Sequence, residues 1–339
     1  MRTFLNKIGA LLLAALLATA ALPVGAHAAA KSRKEKKKSE APAPEKKLSA
    51  YEKLFKDKES RTAEGLFKLH IIDGKLYTEI PLDILEREFV INTTIEASSL
   101  ADYGLAGQQP LPPYHITFSR RDSLVRMHEV PRRTLSDSDA GIARALELSS
   151  AMPIVASYPI KAYNADSTAV VIENTALFMS DNEHLKAFEA RGMSPLHISR
   201  ASYKADRSLL RDVEGGKDYA SVISDMTYGV TTQYFIFIIC KDKPFTARAR
   251  RTVTMLPEEC APARIADPRI GVLPVPFTRF TAEQGTRPAY FASRINFRPG
   301  GEIRPVTFYI DTLFTPAWQR GIRRGIALWN EAFRRIGMG

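Results

Sequence analysis

Short runs of β-branched and aromatic residues, separated by turn-forming dipeptides, recur through most of this chain. A polypeptide patterned in this way buries its apolar side chains by pairing each run with near neighbours, which points to antiparallel sheet rather than a doubly wound parallel fold. Residues 66–72 and 75–80 flank Asp73-Gly74, a dipeptide suited to the positive φ angles of a two-residue hairpin turn. Further strand-like runs lie at 88–96, 114–119 and 123–130, the last two joined by a turn at Arg121-Asp122. A helix is expected over 136–151, with Asp and Ser ahead of its apolar residues and Pro153 after it. Strands resume at 154–163 and 167–179 around Asn164-Ala165-Asp166, then at 196–204, 219–227, 233–240 and 250–256. The expected class is α+β, predominantly antiparallel β.

The net charge of +11 over 339 residues invites a nucleic-acid reading. Its distribution removes that reading. Residues 1–60 hold 13 Lys and Arg against 6 Asp and Glu, so the remaining 279 residues are close to balanced. Arg2 and Lys7 precede an apolar run over 8–22, followed by Pro23 and the small residues Ala26 and Ala28, as in a secretory signal peptide cleaved after Ala28 or Ala30. The run is shorter than the ~20 residues that cross a bilayer, and without a nearby Cys no lipid anchor is expected. Export to the periplasm or beyond follows, with no stable membrane span after cleavage. Residues 31–47 (KSRKEKKKSEAPAPEKK) hold no aromatic or branched side chain and read as a solvated tether.

From 257 to 305 the chain is rich in Pro and Arg and its periodicity fades. Residues 306–310 then read as a strand. Thr315-Pro316 opens a helix to about Ile336, with Trp318, Ile322, Ile326, Trp329, Phe333 and Ile336 on one face. A helix with so strong an apolar stripe needs a surface to cover it, yet only one strand immediately precedes it.

Catalytic signatures do not appear. The sequence lacks His-Glu-x-x-His, and its nearest approach, His128-Glu129-Val130-Pro131-Arg132, has Arg in place of the second His. Phosphate-cradling, dinucleotide and nucleophile-elbow glycine motifs are also absent. His70 and His128 sit in alternating runs as structural or solvent-facing side chains. Cys240 and Cys260 are compatible with a disulfide in an oxidising compartment or with two free thiols, and Cys260 is also available as a thiolate zinc ligand. No catalytic, cofactor-binding or metal residue is assigned.

Several segments together resemble a known family. They are residues 252–258, the Asp267-Pro268-Arg269-Ile270-Gly271 sequence, residues 306–311, and Trp329-Asn330-Glu331-Ala332-Phe333. Upstream, residues 51–55, 63–67 and 73–77, then 144–150, 158–163 and 170–178, extend the match. The chain resembles the exported zinc-dependent metalloproteases of Bacteroidetes-type bacteria, in which two domains of unknown function precede a metzincin-like catalytic domain. The resemblance implies zinc and a polypeptide substrate for the full-length protein only, since the family's zinc ligands lie downstream of the strand and helix seen here. It divides the chain into a signal peptide (1–30), a tether (31–48), β-rich domains (49–131 and 132–260), an extended connector (261–305) and the severed start of a catalytic domain (306–339). The expected function is that of a non-catalytic N-terminal portion whose partner is the missing catalytic domain. The alternative is a stand-alone exported β-rich binding module.

Overall fold

The structure is a computed structural model that describes residues 48–131, 134–136, 140–190, 194, 196–258, 262–281, 283–296 and 305–338. The signal peptide, nearly all of the tether and Cys260 therefore lie outside the described residues. A six-residue helix, α1 (Ala50–Phe55), opens on Ser49, whose hydroxyl accepts from the Glu52 amide while the Glu52 carboxylate accepts from the Ser49 amide. Strands β1 (Ser60–Ala63), β2 (Lys68–Ile72), β3 (Lys75–Pro81), β4 (Glu88–Ser98), β5 (Tyr114–Arg121), β6 (Leu124–Glu129) and β7 (Thr134–Ser136) follow. After α2 (Ala140–Ser149) come β8 (Ile154–Tyr163) and β9 (Ala169–Glu173), then the short α3 (Thr175–Met179). Next are β10 (His197–Tyr203), β11 (Leu209–Gly216), β12 (Tyr219–Tyr234) and β13 (Phe237–Met255). The hairpin β14 (Pro274–Thr281) and β15 (Gly285–Ala292) and the 20-residue α4 (Pro316–Arg335) complete the described elements.

Twelve of these strands form one sheet in the order β1-β2-β3-β9-β8-β6-β5-β4-β13-β12-β10, with β11 sharing the outer edge of β12 with β10. Every pairing within it is antiparallel, confirming the predominantly antiparallel α+β class. Residues 49–131 and 132–260 share this sheet: β3 pairs with β9, and β4 lies between β5 and β13. The sheet also curls until its ends touch. The Leu66 amide donates to the Gly216 carbonyl at 2.8 Å, and Arg61 reaches the Arg211 carbonyl at 2.6 Å. Gly65 permits this approach, because a Cβ there would collide with the Gly216 backbone.

Four expectations change. The run 167–179 ends as a strand at Glu173, where side chains capture the backbone: the Glu173 carboxylate accepts from the Thr175 amide at 3.1 Å, and a helical turn follows. The run 233–240 is no separate strand but the tip of the β12–β13 hairpin, whose turn falls inside the apolar run with no Gly, Asn or Pro to mark it. Within 261–305, expected as an extended connector, β14 and β15 pair and β14 adds β7 in parallel. Prolines at 274, 276 and 288 hide these strands from a sequence reading, and a three-stranded sheet tolerates them near its edges. Residues 306–310 form no ladder among the described residues, since a strand exists only with a neighbour to pair with.

From Ala220 to Val230 of β12 and from Phe245 to Val253 of β13 one face turns inward, and two apolar clusters occupy it in succession. Ala220, Val222 and Val253 belong to a large cluster with Phe67, Leu76, Ile80, Phe89, Ile91, Phe118 and Val170. Met226, Tyr228, Val230, Phe245, Ala247 and Ala249 form a second with Ile95 and Phe188. Between them lies a polar layer of Thr93, Ser224 and Arg251, at adjoining positions of β4, β12 and β13.

Arg251 has no exposed surface. Its Nε and Nη2 donate to the Leu185 carbonyl at 3.0 and 2.8 Å, and Nη1 donates to the Phe178 carbonyl and the Ser224 hydroxyl at 2.7 and 2.8 Å. Burial lowers its pKa to about 10, which still leaves it charged at neutral pH. Arg250 next to it faces the other way and joins three strands, with Glu96 at 2.5 Å and a bidentate contact to Glu214 at 2.6 and 2.9 Å. Arg251→Ala is expected to lower unfolding stability by about 3 kcal/mol in urea titrations, because it orphans buried acceptors. Arg251→Lys should recover less than half of that loss, because an ammonium lacks the planar fork that serves both segments.

Candidate functional site

Beyond Ile95 the edge of β4 pairs with a loop rather than with β5. The Ile95 amide donates to the Gln108 carbonyl at 2.9 Å, the Gly107 amide donates back to Ile95 at 2.8 Å, and the Ser98 hydroxyl reaches the Gly104 carbonyl at 2.5 Å. This loop forms one wall of an open cleft of about 770 Å³. The segment at Phe188 and Glu189, which follows the two carbonyls held by Arg251, forms another wall. The outer ends of β10, β12 and β13 complete it through His197, Thr232, Cys240 and Lys243.

The inner end of the cleft is aromatic and its rim is charged. Tyr103 and Phe188 lie 5.4 Å apart and both pack on Phe245, at 5.3 and 4.7 Å. Asp102, Glu189 and Lys243 supply charge of both signs around them, and His197 adds a polar ring. A volume in the range typical of ligand clefts, with an apolar wall and scattered polar groups, suits binding of a polar molecule with an apolar side. Sequence reasoning did not find this cleft, because its residues come from four distant stretches that only the sheet topology brings together.

The histidines weighed in the sequence take structural positions. His70 is 2% exposed; its Nδ1 lies 2.8 Å from the Thr62 hydroxyl, and its Nε2 stands 3.6 Å from Glu79, which also accepts from the Tyr51 hydroxyl. The Phe55 ring of α1 meets the imidazole edge on at 4.8 Å. His128 lies in β6, not in a helix, with Nε2 2.7 Å from the Ser119 hydroxyl and no hydrogen bond at Nδ1, so a serine and an imidazole meet without a carboxylate to orient them. His184 stacks on Tyr114 at 4.2 Å. Among the described residues no group of three or more His, Cys, Asp or Glu side chains could hold a metal ion. Cys240 is a free thiol 3.8 Å from the Val230 carbonyl, and its candidate partner Cys260 lies outside the described residues.

The fold is β-rich α+β, with an open cleft of mixed apolar and polar lining at the outer ends of β10, β12 and β13. Residues 111–299 match the Domain of unknown function (DUF5117), and residues 48–98 match the Domain of unknown function (DUF5118). Since the first match covers more than half of its length, the chain belongs to the DUF5117 family. No curated protein and no solved structure matches it. The two matched segments are adjacent in sequence yet build a single sheet, the first supplying β1 to β4 and the second the strands that flank β3 and β4.

Burial holds the His70 pKa below its ordinary value, against the pull of Glu79. Its neutral form is therefore favoured in the folded state. As pH falls below about 6.5 the unfolded chain binds a proton that the folded chain resists, and stability declines until the folded-state pKa is passed. Urea midpoints measured from pH 7 to pH 5 are expected to fall more steeply for the wild type than for His70→Gln, which removes this proton-linked loss.

Proposed function

We propose that this chain is the non-catalytic, β-rich N-terminal portion of an exported zinc-dependent metalloprotease, with α4 as the surface that packs against the catalytic domain. The observation that carries the reading is α4 itself. Thr315 and Pro316 begin it as a regular helix, yet it buries no residue along its 20 positions. Trp318 and Trp329 are 67% and 66% exposed, and Leu328 and Ile336 are similarly open. An amphipathic helix gains most of its stability from covering its apolar face, so α4 is built for a surface that the described residues do not supply. The tandem match to two domains of unknown function agrees with the architecture that the sequence resemblance implies. Under this reading zinc and peptide-bond hydrolysis belong to the catalytic domain, and the sheet described here supports it.

The alternative of a self-sufficient exported binding module draws on the cleft beside Phe188 and Glu189. Two measurements separate the readings. The DNA that follows the Gly339 codon is expected to encode a His-Glu-x-x-His helix, in frame or in an adjacent frame; a terminator with no such motif downstream counts against the protease reading. In hydrogen exchange of the purified chain, amides of α4 are expected to exchange freely and to become protected once the catalytic domain is added. Full protection of α4 in the chain alone would favour the self-sufficient module.

A further inference from the structure

The end of the β12–β13 hairpin is a second uncovered apolar surface, different in kind from α4. Six consecutive residues, Tyr234 to Ile239, are between 50% and 68% exposed. The pairs Tyr234↔Phe237 and Gln233↔Ile238 are successive, so their side chains leave opposite faces of the ribbon, while Phe235 and Ile236 form the turn itself. The tip is thus apolar on both faces and at its end. Leu196 and Ile198, where β10 pairs with this end of β12, are also exposed and widen the patch.

The tip is a constructed feature. Phe235 has φ of 52°, a left-handed conformation that glycine or asparagine would adopt more easily than a bulky side chain. Its amide donates to the Leu196 carbonyl at 2.6 Å, and the Gln233 amide side chain donates to its carbonyl at 2.8 Å. Two register shifts, between Val230 and Thr232 and between Thr232 and Gln233, place extra residues on β13, while β10 stays paired with β12 as far as Tyr234. Charge begins abruptly where the apolar run stops. Lys241 and Lys243 are exposed, and the intervening Asp242 is paired with Lys204 at 2.9 Å, so the base of the tip is net basic.

We propose that this tip inserts into the surface of an anionic lipid bilayer. A docking protein covers one face of a ribbon, whereas a tip that is apolar on both faces and at its turn, with β10 along one edge, is matched by a medium that reaches both faces. From the Thr232↔Cys240 pair to the turn the ribbon extends about 10 Å, the depth of the headgroup and upper acyl region. Lys241 and Lys243 then lie at headgroup level, where anionic lipid attracts them. The contact is peripheral: among the described residues no helix is long and apolar enough to cross a membrane.

The test uses the full chain and vesicles of equal parts phosphatidylglycerol and phosphatidylcholine. A nitrobenzoxadiazole label on I236C, in a C240S/C260S background, should shift to the blue and brighten when vesicles are added, and less so with phosphatidylcholine alone. Phe235→Asp with Phe237→Asp should weaken vesicle binding about tenfold or more while leaving the thermal midpoint within a few degrees. Trp318→Asp with Trp329→Asp should leave the label's response intact, which separates this surface from α4. An unchanged label, equal binding by the tip variant, or loss of the response in the α4 variant overturns the proposal. So does a dimer in solution that the tip variant dissolves, because the tip would then be an interface between copies.

Discussion

Arg251 enters the interior with no carboxylate of the described residues in contact with its guanidinium, and the architecture on both sides depends on how that charge is accommodated. Four hydrogen bonds to two backbone carbonyls and one hydroxyl replace the water it gives up. The Phe178 carbonyl lies in α3 and the Leu185 carbonyl in the crossover that follows it, so the arginine fixes both on the sheet. The same crossover continues into Phe188 and Glu189, which wall the cleft. A single buried cation thereby separates two apolar clusters, holds an irregular segment in register and shapes the best-formed site of the molecule. The network extends outward through Tyr228, whose hydroxyl lies 3.5 Å from Asp181. Burial raises the pKa of both groups, which keeps the phenol neutral and makes the Asp181 carboxylate easier to protonate.

Sheet closure is the second constraint. An edge strand exposes unpaired backbone groups, and a sheet of this width would expose two edges if it stayed open. Here the ends approach through Gly65 and Gly216, and Arg61 satisfies a carbonyl of β11 across the seam. This geometry also explains why residues 48–98 and 111–299 cannot be treated as independent folding units in the sheet: β4 has β5 on one side and β13 on the other. Two family matches that are separate in sequence are joined by the hydrogen-bond ladder.

Two apolar surfaces of different geometry remain uncovered among the described residues. α4 exposes a stripe on one side of a regular helix, the geometry of a surface made to be packed. The hairpin tip exposes apolar side chains on both faces and at its turn, next to the exposed Lys241 and Lys243. The cleft lies between the tip and the Arg251-held crossover, with Ile239 and Cys240 common to the tip region and its lining. The tip and the cleft thus share one hairpin, β12–β13, and the segments that flank it.

The sequence alone determined the hairpin at Asp73-Gly74, most strand positions, the antiparallel class and α4, because period, turn chemistry and helix-start signals act within a few residues. It also showed a balanced charge outside the N-terminal segment, which removed the nucleic-acid reading. Arg251 was half legible: in the run Ala247-Arg248-Ala249-Arg250-Arg251-Thr252-Val253 the alternation places it with the inward alanines and valine, but its carbonyl acceptors lie more than sixty residues away. Tertiary structure decided the rest. The turn inside residues 234–239 follows from the register of two long strands, and no local residue marks it. The cleft exists only where β4, β10, β12 and β13 converge with two loops, and the sharing of one sheet by both matched segments depends on long-range pairings. Local patterns fix which backbone conformation a residue prefers; which distant chain it meets is settled only when the whole sheet closes.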